Sequence, residues 1–304
     1  MELNMCLEKD RSIGCLLGLA VGDAVGTTLE FKSRDSYAHL TDMVGGGPFS
    51  LPVGAWTDDT SMALCLAISL LESNEFDPAD QMERYRRWQH QGYLSSTGTC
   101  FDIGGTVSDA LNRFASTGEP MSGSVHPSSA GNGSLMRLSP VVEFYYPDIE
   151  KVLFYSQESS RTTHGAPECL DACRIFAELL YRAIHGSNKS KILERVEIEG
   201  CTEFVNRVAR MEFINLSRDQ VKGSGYVMES IEAALWCFHK STNFKDAILL
   251  AANLGDDADT TAAICGQIAG AHYGASGIPK EWMDKLVKRD EIKEIAEGLY
   301  EASA

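Results

Sequence analysis

Two segments of the sequence place several carboxylates and hydroxyls directly before a run of apolar residues. The first is 56–61 (WTDDTS), and the second is 255–261 (GDDADTT). One such residue before a helix is ordinary, because it accepts hydrogen bonds from the first unpaired N–H groups and interacts favourably with the helix dipole. Capping accounts for one or two residues in each segment and leaves the other carboxylates unexplained.

A shared cation is the chemistry that would explain the remaining carboxylates. If the two helix starts converge, carboxylates within roughly 4–6 Å repel, which raises their pKa values or demands a cation. Oxygen donors alone favour Mg²⁺, Mn²⁺ or Ca²⁺ over Zn²⁺, and four or more shared carboxylates suit two ions. Two separately capped helices are the alternative, and the spacing leaves both open.

Three further segments combine glycine with polar residues: 100–106 (CFDIGGT), 131–134 (GNGS) and 162–165 (TTHG). Glycines that open a helix expose N–H groups that can hold a phosphate, although glycines also serve simple turns. Asp102 precedes a predicted helix, where capping is the usual role. His164 beside a glycine is more often a hydrogen-bonded structural residue than a catalyst. Each segment is a candidate site with a structural alternative.

Helical periodicity dominates the elements that must position these residues. Leu64, Ala67, Ile68 and Leu71 recur at helical spacing after the first acidic segment. Similar patterns predict helices around 82–88, 107–114, 148–160, 166–185, 190–198, 225–240, 244–252, 259–273 and 280–302. Alternating β-branched residues are nearly absent and no linker divides the chain, so the sequence predicts one all-α domain.

The composition of the chain excludes several classes of function. Its 304 residues carry a net charge of −16, which argues against a nucleic-acid backbone as partner. No run of about 18 apolar residues is present, so no membrane span is predicted. The first dozen residues lack the apolar core of a signal peptide, and the nine scattered cysteines form no CxxC pair. A cytoplasmic location is expected.

Six motifs between residues 14 and 274 occur in an order that resembles one known family. They are 14–26 (GCLLGLAVGDAVG) with Glu30-Phe31, 56–62, 101–104, 131–137, 163–165 and 254–274. On these motifs the chain resembles the ADP-ribosylglycohydrolase family, which includes dinitrogenase-reductase-activating glycohydrolases and ADP-ribosyl-arginine hydrolases. The resemblance implies a compact orthogonal bundle of helices as a single domain over 1–304, with 1–12 as an N-terminal extension.

The resemblance also implies a cofactor and a set of site residues. The cofactor is a pair of divalent cations, Mg²⁺ or Mn²⁺. The implied metal ligands are Thr57, Asp58, Asp59, Asp257, Asp259 and Thr260. The implied substrate-binding residues are Gly131, Asn132, Gly133, Ser134 and His164. Glu30 and Asp102 match carboxylates near the scissile bond, one of which would act as general base or orient the leaving group, and Asp256 is expected to orient its neighbours.

The implied activity is removal of ADP-ribose from arginine side chains of modified proteins. The bond between C1″ of the distal ribose and a guanidine nitrogen would break through an oxocarbenium-like state that carboxylates stabilise. An ADP-ribosylated protein is then the substrate and ADP-ribose the product. The alternatives are hydrolysis of serine-linked ADP-ribose, poly-ADP-ribose or O-acetyl-ADP-ribose, cleavage of the diphosphate, and a non-enzymatic crystallin-like protein.

Overall fold

The computed structural model describes residues 2–303, with side chains from residue 5 onward, and confirms the predicted all-α class. The described residues form fourteen α-helices and no β-sheet. The helices are α1 (Glu2–Gly26), α2 (Asp58–Ser73), α3 (Pro78–Gln91), α4 (Gly105–Thr117), α5 (Ser139–Tyr145), α6 (Ile149–Arg161), α7 (Pro167–Ile184), α8 (Lys189–Ile192), α9 (Glu203–Ala209), α10 (Val227–Lys240), α11 (Phe244–Ala252), α12 (Ala258–Tyr273), α13 (Lys280–Met283) and α14 (Arg289–Ala302).

Helices α1 and α12 pack in the centre of the fold, and glycines of α1 allow their close approach. A Cβ atom built on Gly14, Gly18, Gly22 or Gly26 would lie between 2.1 and 2.4 Å from a backbone oxygen of α12. The spacing of four residues puts these glycines on one face of α1. This contact brings the C-terminal half of α1 beside the second acidic segment.

Within residues 2–303, one helical stretch, Met5–Leu29, is long and apolar enough by composition to cross a membrane. In the fold, 94% of its most apolar window is buried inside the protein. Met5 and Leu7 are exposed, and the apolar side chains from Ile13 to Val25 belong to the core. Because residues 12–26 are buried on every face of the helix, they show no amphipathic stripe, which explains why periodicity did not predict α1.

Two predicted helices differ from the observed ones. The helix predicted at 190–198 ends at Ile192, after which the chain continues as a loop that bonds to the end of α9 through Val196 N and Ala209 O. The helix predicted at 280–302 is divided into α13 and α14. Lys288 between them has a φ of 56°, a left-handed conformation that cannot continue a right-handed helix.

Candidate active site

The two acidic segments meet at the neighbouring N-termini of α2 and α12. One carboxylate oxygen from each of Asp23, Asp59 and Asp259 lies within 4.8 Å of the other two, and the same holds for Glu30, Asp257 and Asp259. Asp259 belongs to both groups, so the five side chains form one continuous acidic cluster. Two stretches separated by almost 200 residues thus share one site.

Carboxylates from outside the acidic segments cap both helices. Asp23 of α1 accepts hydrogen bonds from the backbone N–H groups of Thr57 at 2.9 Å and Thr60 at 3.0 Å. Glu30 accepts one from the N–H of Ala258 at 2.7 Å. The N-cap residue of neither helix makes a side-chain capping bond. The expectation that each segment caps its own helix is therefore wrong, and the segments' aspartates are left to other partners.

Asp23 is a candidate functional residue that the sequence analysis missed. Its side chain is fully buried, and its two oxygens accept four hydrogen bonds from the N–H and hydroxyl groups of Thr57 and Thr60, at 2.6–3.0 Å. Burial, with repulsion from Asp259, raises the pKa of Asp23 to about 7. The available signal was a single charged residue within the otherwise uncharged stretch 12–29, which a buried helix holds only with hydrogen-bond donors.

The carboxylates of the cluster repel one another, and a bound positive charge would relieve that repulsion. Burial and then neighbouring carboxylates raise the pKa values of Asp58, Asp59 and Asp259 well above their usual range. Oδ1 of Asp59 and Oδ2 of Asp259 are buried and have no hydrogen-bond partner among the described residues. Unpaired oxygens in a buried cluster of like charges are ligands that a divalent cation satisfies. The residues present therefore fit a divalent cation that prefers oxygen ligands, such as Mg²⁺, Mn²⁺ or Ca²⁺.

Asp256 behaves differently from the other aspartates of its segment. Its side chain is exposed and makes no hydrogen bond within residues 5–303. Its backbone has a φ of 58°, donates to the carbonyl of Lys32 and accepts from the N–H of Phe31, both at 2.8 Å. Asp256 thus holds the loop after Glu30 through its main chain, and the expectation that its side chain orients the neighbouring ligands is wrong.

A cavity of about 360 Å³ opens at the acidic cluster and continues to the other candidate segments. Of the residues implied by the family resemblance, ten line it: Glu30, Asp58, Asp102, Gly131, Asn132, Gly133, His164, Asp257, Asp259 and Thr260. Thr57, Asp59 and Ser134 are buried and do not line the cavity. The Thr57 hydroxyl lies 3.1 Å from Asp59 Oδ2, and Ser134 accepts a hydrogen bond from Ser160. One cavity therefore brings the separate motifs together.

Asp102 lies in the cavity wall and does not cap a helix. Helix α4 begins at Gly105 with Gly104 as its N-cap residue, and Asp102 precedes both with a φ of 61°. The predicted capping role is therefore wrong. Burial raises the pKa of Asp102 to about 6. A Cβ atom on either glycine would meet nothing within 4 Å, so this side of the cavity has room for a large group.

Three aromatic rings lie in succession, beginning with Phe31 in the cavity wall. Phe31 lines the cavity, is 69% exposed and packs edge-on against Phe49, with 6.3 Å between the ring centroids. Phe49 lies 5.2 Å from Phe101. Phe31 directly follows Glu30, and Phe101 directly precedes Asp102. Aromatic faces next to carboxylates form a surface that attracts a planar cation such as guanidinium.

The glycine loop (residues 131–134) lies in the same cavity wall but does not open a helix. Hydrogen-bonded turns follow it, and the next helix, α5, begins beyond them. The amides of Gly131 and Asn132 donate to carbonyl oxygens within the protein, at 2.8 and 3.1 Å. The amides of Gly133 and Ser134 have no acceptor among the described residues. Two of the four amides are therefore not used by the described residues, and one of them, that of Gly133, belongs to a residue in the cavity wall where an anion could bind it.

Two side chains connect the glycine loop to the rest of the cavity. Asn132 Nδ2 donates to Asp257 Oδ2 at 2.9 Å and so joins the loop to the acidic cluster. The imidazole of His164 lies against Gly131 and Gly133, where a Cβ atom would be 3.4 and 2.8 Å from ring atoms. Burial lowers the pKa of His164 to about 3, so this imidazole is neutral at physiological pH.

Comparison with known proteins identifies the family that carries this arrangement. A sequence profile of the family described as ADP-ribosylglycohydrolase matches residues 7–304. The chain belongs to the ADP-ribosylglycohydrolase family. This finding confirms the resemblance recognised from the motifs and agrees with the helical architecture.

Individual members of the ADP-ribosylglycohydrolase family align with almost the whole chain. This chain is 45% identical over 292 residues to the ADP-ribosylarginine hydrolase Tri1 of Pseudomonas putida (strain GB-1). The alignment covers 96% of this chain and 78% of that protein. It is 32% identical to the ADP-ribosyl-(dinitrogen reductase) glycohydrolase of Rhodospirillum rubrum, over 91% of this chain and 90% of that protein. Among solved structures, a chain of an ADP-ribosylglycohydrolase-related protein complex superposes with a TM-score of 0.87 at 40% identity, covering 98% and 99% of the two chains.

Proposed function

We propose that this ADP-ribosylglycohydrolase removes ADP-ribose from arginine side chains of modified proteins with the help of two divalent cations. The observation that carries the proposal is the single cavity that holds a buried acidic cluster, an amide-presenting glycine loop and Asp102. The relatives named as hydrolases of ADP-ribosylarginine and of ADP-ribosylated dinitrogen reductase support the same substrate class.

The diphosphate of ADP-ribose would bind at the glycine loop. The amides of Gly133 and Ser134 offer hydrogen bonds that the protein itself does not use, and His164 adds a neutral ring beside them. Local donors of this kind hold an anion without a basic surface. They account for diphosphate binding by a chain with a net charge of −16.

The acidic cluster would hold the two cations next to the distal ribose. The residues that would bind them are Thr57, Asp58, Asp59, Asp257, Asp259 and Thr260. When bound, the ions would supply positive charge that polarises oxygen atoms near the anomeric carbon. Asp23 and Glu30 would keep the ligands in place, because they fix the first turns of α2 and α12.

The acceptor arginine would leave through the open side of the cavity. Asp102 would hold the guanidinium, since a pKa of about 6 keeps its carboxyl mostly ionised at neutral pH. Water adds its oxygen to C1″ as the C1″–N bond breaks, and its proton passes to the leaving guanidine. Asp102 or Glu30 would carry that proton. The aromatic ring of Phe31, which lines the cavity, would pack against the departing cation and favour arginine over serine.

Product analysis with defined substrates tests the proposal. The protein is incubated with arginine-ADP-ribosylated and serine-ADP-ribosylated proteins, each with Mg²⁺ and with a chelator. We expect release of intact ADP-ribose from the arginine-linked substrate, dependent on Mg²⁺. Release from the serine-linked substrate alone, formation of AMP and ribose phosphate, or full turnover in excess chelator would each contradict the proposal.

A further inference from the structure

Behind the glycine loop lies a buried arginine with no carboxylate partner among the described residues. Arg137 is fully buried, and its guanidinium lies 4.9 Å from the ring centroid of Tyr85. Its Nη1 donates to the carbonyl oxygen of Gly133 at 2.6 Å. Its Nη2 donates to the hydroxyl of Thr163 at 2.8 Å. One side chain therefore contacts both the glycine loop and the residue that precedes His164.

The direction of the hydrogen bonds around Thr163 follows from the chemistry of arginine. Guanidinium can only donate, so the Thr163 oxygen accepts the bond from Arg137. The buried hydroxyl of Thr163 has one other polar neighbour, Nδ1 of His164 at 2.9 Å. Its proton therefore has a single acceptor among the described residues, and that acceptor is Nδ1. The ring proton of neutral His164 must then lie on Nε2.

The opposite arrangement would leave a buried hydroxyl unpaired. If Nδ1 carried the proton, it would donate to Thr163, and the threonine proton would have no acceptor. Loss of one buried hydrogen bond corresponds to roughly a 5- to 150-fold difference between the populations of the two neutral tautomers. The tautomer with the proton on Nε2 is favoured by that factor.

Nε2 of His164 lies beside the glycine loop, close to both Gly131 and Gly133. It has no hydrogen-bond partner within residues 5–303, and a Cβ atom on Gly133 would lie 3.2 Å from it. The His164 side chain is 2% exposed and lines the cavity. Nε2–H is thus a donor with no partner among the described residues, and it lies beside Gly133, whose amide is also unpaired and which also lines the cavity.

We infer that Arg137 is a positioning residue that acts through Thr163 to hold His164 in the Nε2–H tautomer, and so presents a neutral donor to an anionic oxygen of the ligand. Identification of that anion as the diphosphate of ADP-ribose rests on the proposed function. The tautomer itself does not depend on it. Through Gly133, the same guanidinium holds the loop whose amides share the anion.

Nitrogen NMR of the full-length protein tests this inference directly. With ¹⁵N-labelled histidine, long-range proton–nitrogen correlations distinguish the two neutral tautomers, and loss of one signal set in His164→Gln assigns His164. We expect wild-type His164 to carry its proton on Nε2. A proton on Nδ1, or a cationic ring, at neutral pH would overturn the inference without any need for a variant of Thr163.

A pair of Thr163 variants tests the role of the hydroxyl. Thr163→Val keeps the shape and removes the donor, so we expect a mixture of tautomers and ADP-ribose binding weakened by roughly 5-fold or more. Thr163→Ser restores the hydroxyl and should restore both properties. An unchanged tautomer in folded Thr163→Val would refute the relay. Failure of wild type to bind ADP-ribose would refute the proposed function alone, because the tautomer is read without ligand.

Discussion

Replacing Asp59 with asparagine should stabilise the metal-free protein and abolish its stabilisation by Mn²⁺. Asp59 is fully buried, and burial together with the charges of Asp23, Asp259, Asp58 and Asp257 raises its pKa. Asparagine has nearly the same shape but no charge, so repulsion within the cluster decreases. It also replaces an anionic metal ligand with a weaker neutral one.

The expected shifts in melting temperature follow from the size of the chain. With 304 residues and about 2.1 cal/mol/K per residue, the entropy of unfolding is about 0.64 kcal/mol/K. A metal present at about 100 times its dissociation constant stabilises the fold by about 2.7 kcal/mol per ion, or about 4 °C. Two charges about 4 Å apart repel by about 4 kcal/mol at an effective dielectric constant near 20, so relief of one such repulsion would raise the melting temperature of the metal-free variant by about 6 °C.

Thermal unfolding in a chelator and in excess MnCl₂ measures both effects at neutral pH. The control is Asp290→Asn, which removes an exposed carboxylate at the start of α14 and should follow wild type in both conditions. A Mn²⁺-induced gain in Asp59→Asn equal to that of wild type would refute the assignment of Asp59 as a ligand. A lower melting temperature in chelator would refute the repulsion argument.

Four further substitutions test other parts of the account. Asp102→Ala should reduce the rate of ADP-ribosyl-arginine cleavage, measured by kinetics, more than it weakens ADP-ribose binding, measured by calorimetry. Equal losses of cleavage and binding would make Asp102 a structural residue. Phe31→Leu should raise KM for an arginine-modified protein while ADP-ribose binding stays unchanged. The control is Phe154→Leu, which changes another exposed phenylalanine, on α6, and equal effects of the two substitutions would exclude an aromatic contact with the substrate. Gly22→Ala should destabilise the fold by roughly 1–3 kcal/mol, because its Cβ would lie 2.1 Å from the α12 backbone; an unchanged denaturant midpoint would contradict that packing. Glu143 is fully buried with both oxygens unpaired, and burial raises its pKa. The fold therefore loses stability progressively as the pH rises above the pKa that Glu143 has in the unfolded chain. Glu143→Gln should raise the melting temperature more at pH 8 than at pH 5, and the reverse order would show a paired carboxylate.

The sequence was sufficient for the all-α class and for the helices that follow the two acidic segments. It was insufficient for their convergence, because that depends on the contact between α1 and α12. The glycines at 14, 18, 22 and 26 set this contact, and their effect appears only once the partner helix is known. The same contact places Asp23 and Glu30 next to the first turns of α2 and α12, where they accept the capping hydrogen bonds. Local sequence patterns therefore predicted capping by the acidic segments, which was wrong.

Backbone conformation accounts for the other differences between prediction and structure. Asp102 and Lys288 adopt left-handed conformations, which side-chain periodicity does not reveal. In the glycine loop, the amide of Gly131 bonds to the nearby carbonyl of Ser129, and the amide of Asn132 bonds to the distant carbonyl of Gly225. The number of amides available to an anion therefore depends on tertiary structure, although the loop itself was recognisable from its residues.

The most direct test of the central claim is anomalous diffraction from a crystal of this protein grown with Mn²⁺ and ADP-ribose. We expect two manganese peaks between the N-termini of α2 and α12, in contact with Asp59 and Asp259, with the diphosphate at the glycine loop. A well-ordered cavity that contains ADP-ribose but no manganese beside these aspartates would contradict it.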